Sequence, residues 1–163
     1  MELLYGFDKE VALFVGRMIF PNEKNMSDVF SPSVAIGVIN NKGGIVAGVV
    51  YHDYTEMDGG GNMQMSIAST NPWWLTKKRL GEIFHYPFVQ ANCHRVTALV
   101  NSSNARSLKL AKGLGFKQEG VMRNYYIDDD AVILGLLRKD CGFIDQGLFT
   151  NNSTSNNIIR DAK

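Results

Sequence analysis

The chain has 163 residues, 45% of them hydrophobic and 20% charged, with a formal net charge of +1. That describes one domain's worth of ordinary soluble globule, able to bury roughly 68–70% of its unfolded surface. The near-neutral balance gives no global field to gather nucleic acid or anionic membrane. Two cysteines, Cys93 and Cys141, make neither a disulfide framework nor a metal-ligand spacing.

Asp8, Lys9 and Glu10 stand where a signal peptide would need an apolar run, and no apolar stretch reaches membrane-spanning length. The cytoplasm is therefore the expected compartment, with both thiols reduced. Asp8 is expected to cap a first helix, in which Val11, Phe14, Val15, Met18 and Ile19 fall at i, i+3, i+4, i+7 and i+8 and form a buried stripe. Pro21-Asn22 ends it. Val34, Ile36 and Val38 alternate as a strand, Asn40 to Gly44 is a turn, and Ile45 to His52 is the returning strand. Thr55 to Asn62, holding Gly59-Gly60-Gly61, reads as a flexible loop, and Met63 to Ala68 as a third strand.

Leu80, Ile83, Phe84 and Phe88 then recur at helical spacing. That helix is expected to start near Thr76, with Asn71-Pro72 a competing start, and Pro87 should kink or shorten it. Its first turn carries Lys77-Lys78-Arg79. Cations there oppose the helix dipole, each costing roughly 0.3–1 kcal/mol, and an anion held by the free N–H groups would reverse that cost. The bland reading is three solvated side chains. Of Trp73-Trp74, one is expected on the core and one at the surface.

Arg95 to Val100 alternates as a strand, and Asn101 to Arg123 reads as a turn, a short helix, a glycine stop and a strand entry. Asn104 is placed to cap the helix, Leu108, Ala111 and Leu114 share one face, and Gly113 and Gly115 mark its end. Asp128 to Arg138 reads as an acidic turn and a strand. Residues 1–144 form one domain, and the Asn- and Ser-rich residues 145–163 are expected to be a disordered tail.

The order of Asn104, Ser107, Leu110, Gly115-Phe116 and Glu119-Gly120-Val121-x-Arg123, preceded by His94-Arg95-Val96, resembles the second half of the GCN5-related N-acetyltransferases. The subgroup it is most similar to includes the ribosomal-protein alanine acetyltransferases. The resemblance spans roughly residues 62–140. It implies an α/β fold with a central, mostly antiparallel sheet and helices on both faces, the usual first strand missing or hidden in residues 1–6. It also implies acetyl-CoA as co-substrate, an amine acceptor, and no metal. Small divergent members occur in bacteriophages, which would place the protein in a host cytoplasm.

By family position, Lys77, Lys78, Arg79 and the amides around Ser69 would hold the pyrophosphate, and Asn104 and Ser107 the pantetheine arm. A backbone amide around Ile67-Ala68 would serve the oxyanion. The chain departs from the pattern twice. The family loop Arg/Gln-x-x-Gly-x-Gly/Ala has no counterpart, since no glycine lies between Gly61 and Gly81, and the position of the usual acid tyrosine is Ala111. The base is open between His52, beside Asp53, and Glu56, against the plainer reading of a structural His-Asp pair. The acceptor and the oligomeric state are open too. Two other readings stay beside the enzyme: a catalytically inactive binding or structural module, and a nucleic-acid-modifying relative, against which the small net charge counts.

Overall fold

Alternating apolar residues along the strands bury both faces of one sheet, and each face takes its own helices. The computed structural model describes residues 1–147. Among them, seven strands form the sheet: β1 (Glu2–Leu4), β2 (Ser33–Ile39), β3 (Ile45–Met57), β4 (Gly60–Ser69), β5 (Cys93–Asn101), β6 (Lys117–Tyr126) and β7 (Asp129–Leu137). Their order is β1-β2-β3-β4-β5-β7-β6, antiparallel throughout except for β4 and β5, which run parallel. The strand expected to be missing or hidden in residues 1–6 is β1, paired to β2 with Leu3 opposite Val38.

Among the described residues, three α-helices cover the sheet: α1 (Asp8–Ile19), α2 (Lys77–His85) and α3 (Ala105–Gly113). Val11, Ala12 and Val15 of α1 pack with Ala35 and Val50 on one face. Ile83, Phe84 and Phe88, with Ala111 and Leu114, pack with Val49, Leu134 and Leu136 on the other. Phe84 is fully buried between the rings of Phe88 and Phe143, at 6.1 and 5.5 Å. Burying such a side chain stabilises the fold by roughly 1.5–3 kcal/mol.

Several expectations are corrected. Asp8 does not cap α1: it is the helix's first residue, and its carboxylate accepts the Ala35 N–H at 2.6 Å, tying α1 to β2. Met18 is 42% exposed and so falls outside the buried stripe. Thr55 to Asn62 is not a flexible loop. There β3 runs on to Met57 and β4 begins at Gly60, joined by Asp58-Gly59, with Gly59 at φ +85°. An Asp-Gly pair supplies the positive φ that such a two-residue hairpin turn needs. Past His85, α2 continues as a π-helical turn over Tyr86–Gln90, where the wider spacing seats Pro87. The expected tail lies, beyond residue 147, outside the described residues.

The approach of α1 is unusually close because the sheet offers it glycine. A Cβ on Gly48 would stand 2.7 Å from both Val11 Cγ1 and Val15 Cγ2. The end of α1 brings Met18 and Ile19 to the cleft described below.

Candidate active-site cleft

The parallel pair β4–β5 is the weak seam. Its register runs from Gly61 opposite Cys93 to Gln64 opposite Thr97 and then stops. Beyond that point β4 stays on β3 as far as Ser69, while β5 follows β7 as far as Asn101. The strands part, and a cleft of about 1140 Å³ opens between them. Its walls are Met65 to Ser69 of β4, Ala98 to Asn101 of β5, Trp74 and Leu75 ahead of α2, Leu80 of α2, and one side of α3.

Which backbone groups face this gap follows from the ladder. The Thr70 N–H donates to the Val46 carbonyl at 2.9 Å. Bonded pairs in an antiparallel ladder recur at every second residue. Ala68 and Ser66 therefore bond β3, whereas Ile67 and Ser69 turn their N–H and C=O groups toward the open side. Across the gap, Leu99 presents its carbonyl, which accepts the Tyr126 hydroxyl at 3.4 Å.

The turn from β5 into α3 is tightly specified. Asn101 Oδ1 accepts the Ser103 N–H at 3.0 Å and its hydroxyl at 2.7 Å, and Asn104 Oδ1 caps the helix by accepting the Ser107 N–H at 3.0 Å. Asp129 clamps the turn by accepting from the Ser102 hydroxyl and the Ser103 N–H, and these bonds hold its carboxyl down at about 2. At the other helix, Thr76 accepts the Arg79 N–H at 3.3 Å, so α2 starts where expected. Neither α2 nor α3 carries an acid in its first turn, whereas α1 has Asp8 and Glu10. The positive end of the α2 dipole is thus without an acid of its own, whereas α3 has the Asp129 carboxylate on the turn that precedes it.

The predicted site residues distribute unevenly. Ile67, Ala68, Ser69, Asn104 and Ser107 all line the cleft. Lys77 and Lys78 are exposed at the start of α2 without lining it. Arg79 is committed elsewhere, donating to the carbonyls of Trp74 at 2.8 Å and Met1 at 2.6 Å. It braces the loop rather than offering a free cation. Trp74 is 3% exposed and floors the cleft, while Trp73 is 79% exposed. Glu56 is not brought to the site: it pairs with Gly61, at the opposite end of β4 from the gap.

His52, polar and buried, sits with Nε2 2.9 Å from Ser66 Oγ and Nδ1 2.9 Å from Asp53 Oδ2, under the Phe30 ring at 4.6 Å. Burial pushes its pKa down, with Asp53 acting the other way. Arg106, Lys109, Ser66 and Tyr126 are among the lining residues that sequence reasoning missed. Arg106 and Lys109 of α3 lie three apart on one helical face, a spacing that could have flagged them. Ser66 and Tyr126 gave no local signal. The Tyr126 hydroxyl is pushed up to about 12 by burial and by Tyr125, so it stays protonated at neutral pH. Cys93 is pushed up to about 11 by burial, which leaves it an inert thiol. Among the described residues no group of His, Cys, Asp and Glu side chains is placed to hold a metal ion, and no helix is long and apolar enough to cross a membrane.

No protein-family model and no curated protein matches this sequence. Among solved structures, the chain is similar to ribosomal-protein-S5-alanine acetyltransferase from Vibrio fischeri, at 16% identity and TM-score 0.64 over 85% of this chain and 93% of that one. It is also similar to a chimera of spermidine N-acetyltransferase from Vibrio cholerae and hSSAT, at 14% identity and TM-score 0.63 over 85% and 98%. The fold is that of the GCN5-related N-acetyltransferases: a seven-stranded mixed sheet, mostly antiparallel, with helices on both faces.

Proposed function

We propose that this protein is an acetyl-CoA-dependent N-acetyltransferase that passes an acetyl group to an amine by direct attack within a ternary complex. The observation that carries the reading is the parting of β4 from β5, which leaves open-facing backbone amides along a cleft deep enough for an extended thioester arm. The arm would lie between the strands, held by Asn104 and Ser107. Its phosphates would meet Ser69, the loop leading to Lys77 and Lys78, and the cations Arg106 and Lys109. This set of donors stands in for the missing glycine loop.

Attack on the thioester builds negative charge on the carbonyl oxygen, and a fixed donor there is worth roughly 2.7–4 kcal/mol. The Ile67 N–H, on the open side of β4, suits that role. Only a neutral amine attacks, so a base must take the ammonium proton. His52, uncharged through burial, is the base, and Tyr126, still protonated, is the acid for the departing thiolate. Glu56 drops out. The two similar structures are named for spermidine and for a ribosomal-protein alanine, so both acceptor chemistries belong in the first screen.

Thiol release from acetyl-CoA, followed with spermidine, a lysine peptide and a peptide with an N-terminal alanine, tests the reading. Acetylated product on any of them supports it. Binding of acetyl-CoA with no thiol release from any amine would favour a module that has kept the cleft and lost transfer.

A further inference from the structure

Ser66, His52 and Asp53 stand in a line that runs from the cleft to the surface. Neighbouring strand residues point to opposite faces, so Asp53 should not reach His52 at all. It does because β3 bulges between His52 and Thr55, with Asp53 itself at φ +50°. A non-glycine residue in that region is uncommon, and bulges recur where a side chain must be re-aimed. The re-aimed carboxylate is 65% exposed, whereas His52 is 8% exposed. Ser66 lies on β4 on the same face as His52 and lines the cleft.

The hydrogen-bond directions are fixed by chemistry. A carboxylate only accepts, so His52 Nδ1 carries the proton and Nε2 accepts the Ser66 hydroxyl. Ser66 Oγ then keeps its lone pairs for the cleft. We propose that Ser66 is a catalytic proton relay, carrying the acceptor's ammonium proton to His52, with Asp53 as its outlet to solvent; the inference rests on the transferase reading above.

In the step, an ammonium N–H bond breaks and the proton joins Ser66 Oγ as the Ser66 hydroxyl proton moves to His52 Nε2. Ser66 ends as it began, His52 becomes imidazolium beside the Asp53 carboxylate, and the amine is neutral. A C–N bond forms as the C–S bond breaks; the Tyr126 hydroxyl proton goes to the departing thiolate, and the proton that the new amide nitrogen sheds restores Tyr126. The imidazolium returns its proton to bulk water.

The test compares two nucleophiles with acetyl-CoA, each read as thiol release. Benzylamine must be deprotonated and suits a mouth lined by Met18, Ile19, Pro21 and Tyr126. Hydroxylamine is already neutral. Ser66→Ala and His52→Gln should each slow benzylamine by about a hundredfold or more, the range of general-base effects, and the double variant should lose no more. Both should leave hydroxylamine nearly untouched, and Ser66→Thr, which keeps the hydroxyl, should restore benzylamine turnover. Equal losses with both nucleophiles would mean that Ser66 only supports the fold, and would overturn the relay alone. An acetyl adduct on Ser66, seen by intact mass, would overturn it in favour of a covalent intermediate. If the wild-type protein releases thiol with neither nucleophile and with none of the amines of the first screen, the transferase reading falls and the relay with it.

Discussion

Proline substitutions at two adjacent residues separate the open side of β4 from its bonded side. Ile67→Pro removes an N–H that, by the phase set at Thr70 and Val46, bonds nothing on β3. The folded state loses only part of a half-buried side chain, about 1–2 kcal/mol at roughly 0.8 kcal/mol per buried methylene. Ala68→Pro removes a bond from the interior of the ladder, a position from which proline is all but excluded. It also strands the Gly48 carbonyl opposite, for about 1–3 kcal/mol further. Against a total stability of roughly 5–15 kcal/mol, the first variant folds and the second is crippled. Denaturant unfolding followed by the fluorescence of buried Trp74 measures the difference. Turnover should invert the order of interest: Ile67→Pro, though folded, should lose about 10²–10³ in kcat if its N–H serves the oxyanion. Equal destabilisation by the two prolines would refute the phase argument, and with it the assignment of Ile67 as donor.

Three further outcomes are expected. Gly48→Ala should cost about 1–3 kcal/mol through the forced displacement of Val11 and Val15, read as a lowered Tm with acetyl-CoA binding retained once folded. Asp129 has a folded pKa of about 2, below its unfolded value, so its clamp is present above the unfolded carboxylate range near 4 and fails as pH falls towards 2; faster amide exchange at Ser103 over that window would report it. Tyr126→Phe should leave binding intact and lower kcat by about 10²-fold, whereas an unchanged kcat would remove Tyr126 from the mechanism.

What the sequence reveals is local chemistry. Asn104, Gly115 at φ +99° and the alternation of Arg95 to Val100 each act through near neighbours, so the strand–turn–helix unit around α3 was legible. The same holds for Thr76 as the start of α2. The misreadings depend on partners far along the chain. Asp8 looks like a helix cap until β2 places the Ala35 N–H against it. Arg79 looks like a free cation until β1 brings the Met1 carbonyl to it. Tyr126 and Ser66 enter the cleft only because β4 and β5 part, and no periodicity announces where a parallel seam opens. Asp58-Gly59 is the exception, a local hairpin signal that the adjoining glycine run disguised as a loop.

The most direct measurement is a calorimetric titration of the protein with acetyl-CoA, repeated on Arg106→Ala/Lys109→Ala and on Lys77→Ala/Lys78→Ala. Micromolar binding that weakens in both double variants is the predicted result, since both helix starts would share the phosphates. No heat of binding at millimolar acetyl-CoA would contradict the account, because the parted strands would then hold some other ligand or none.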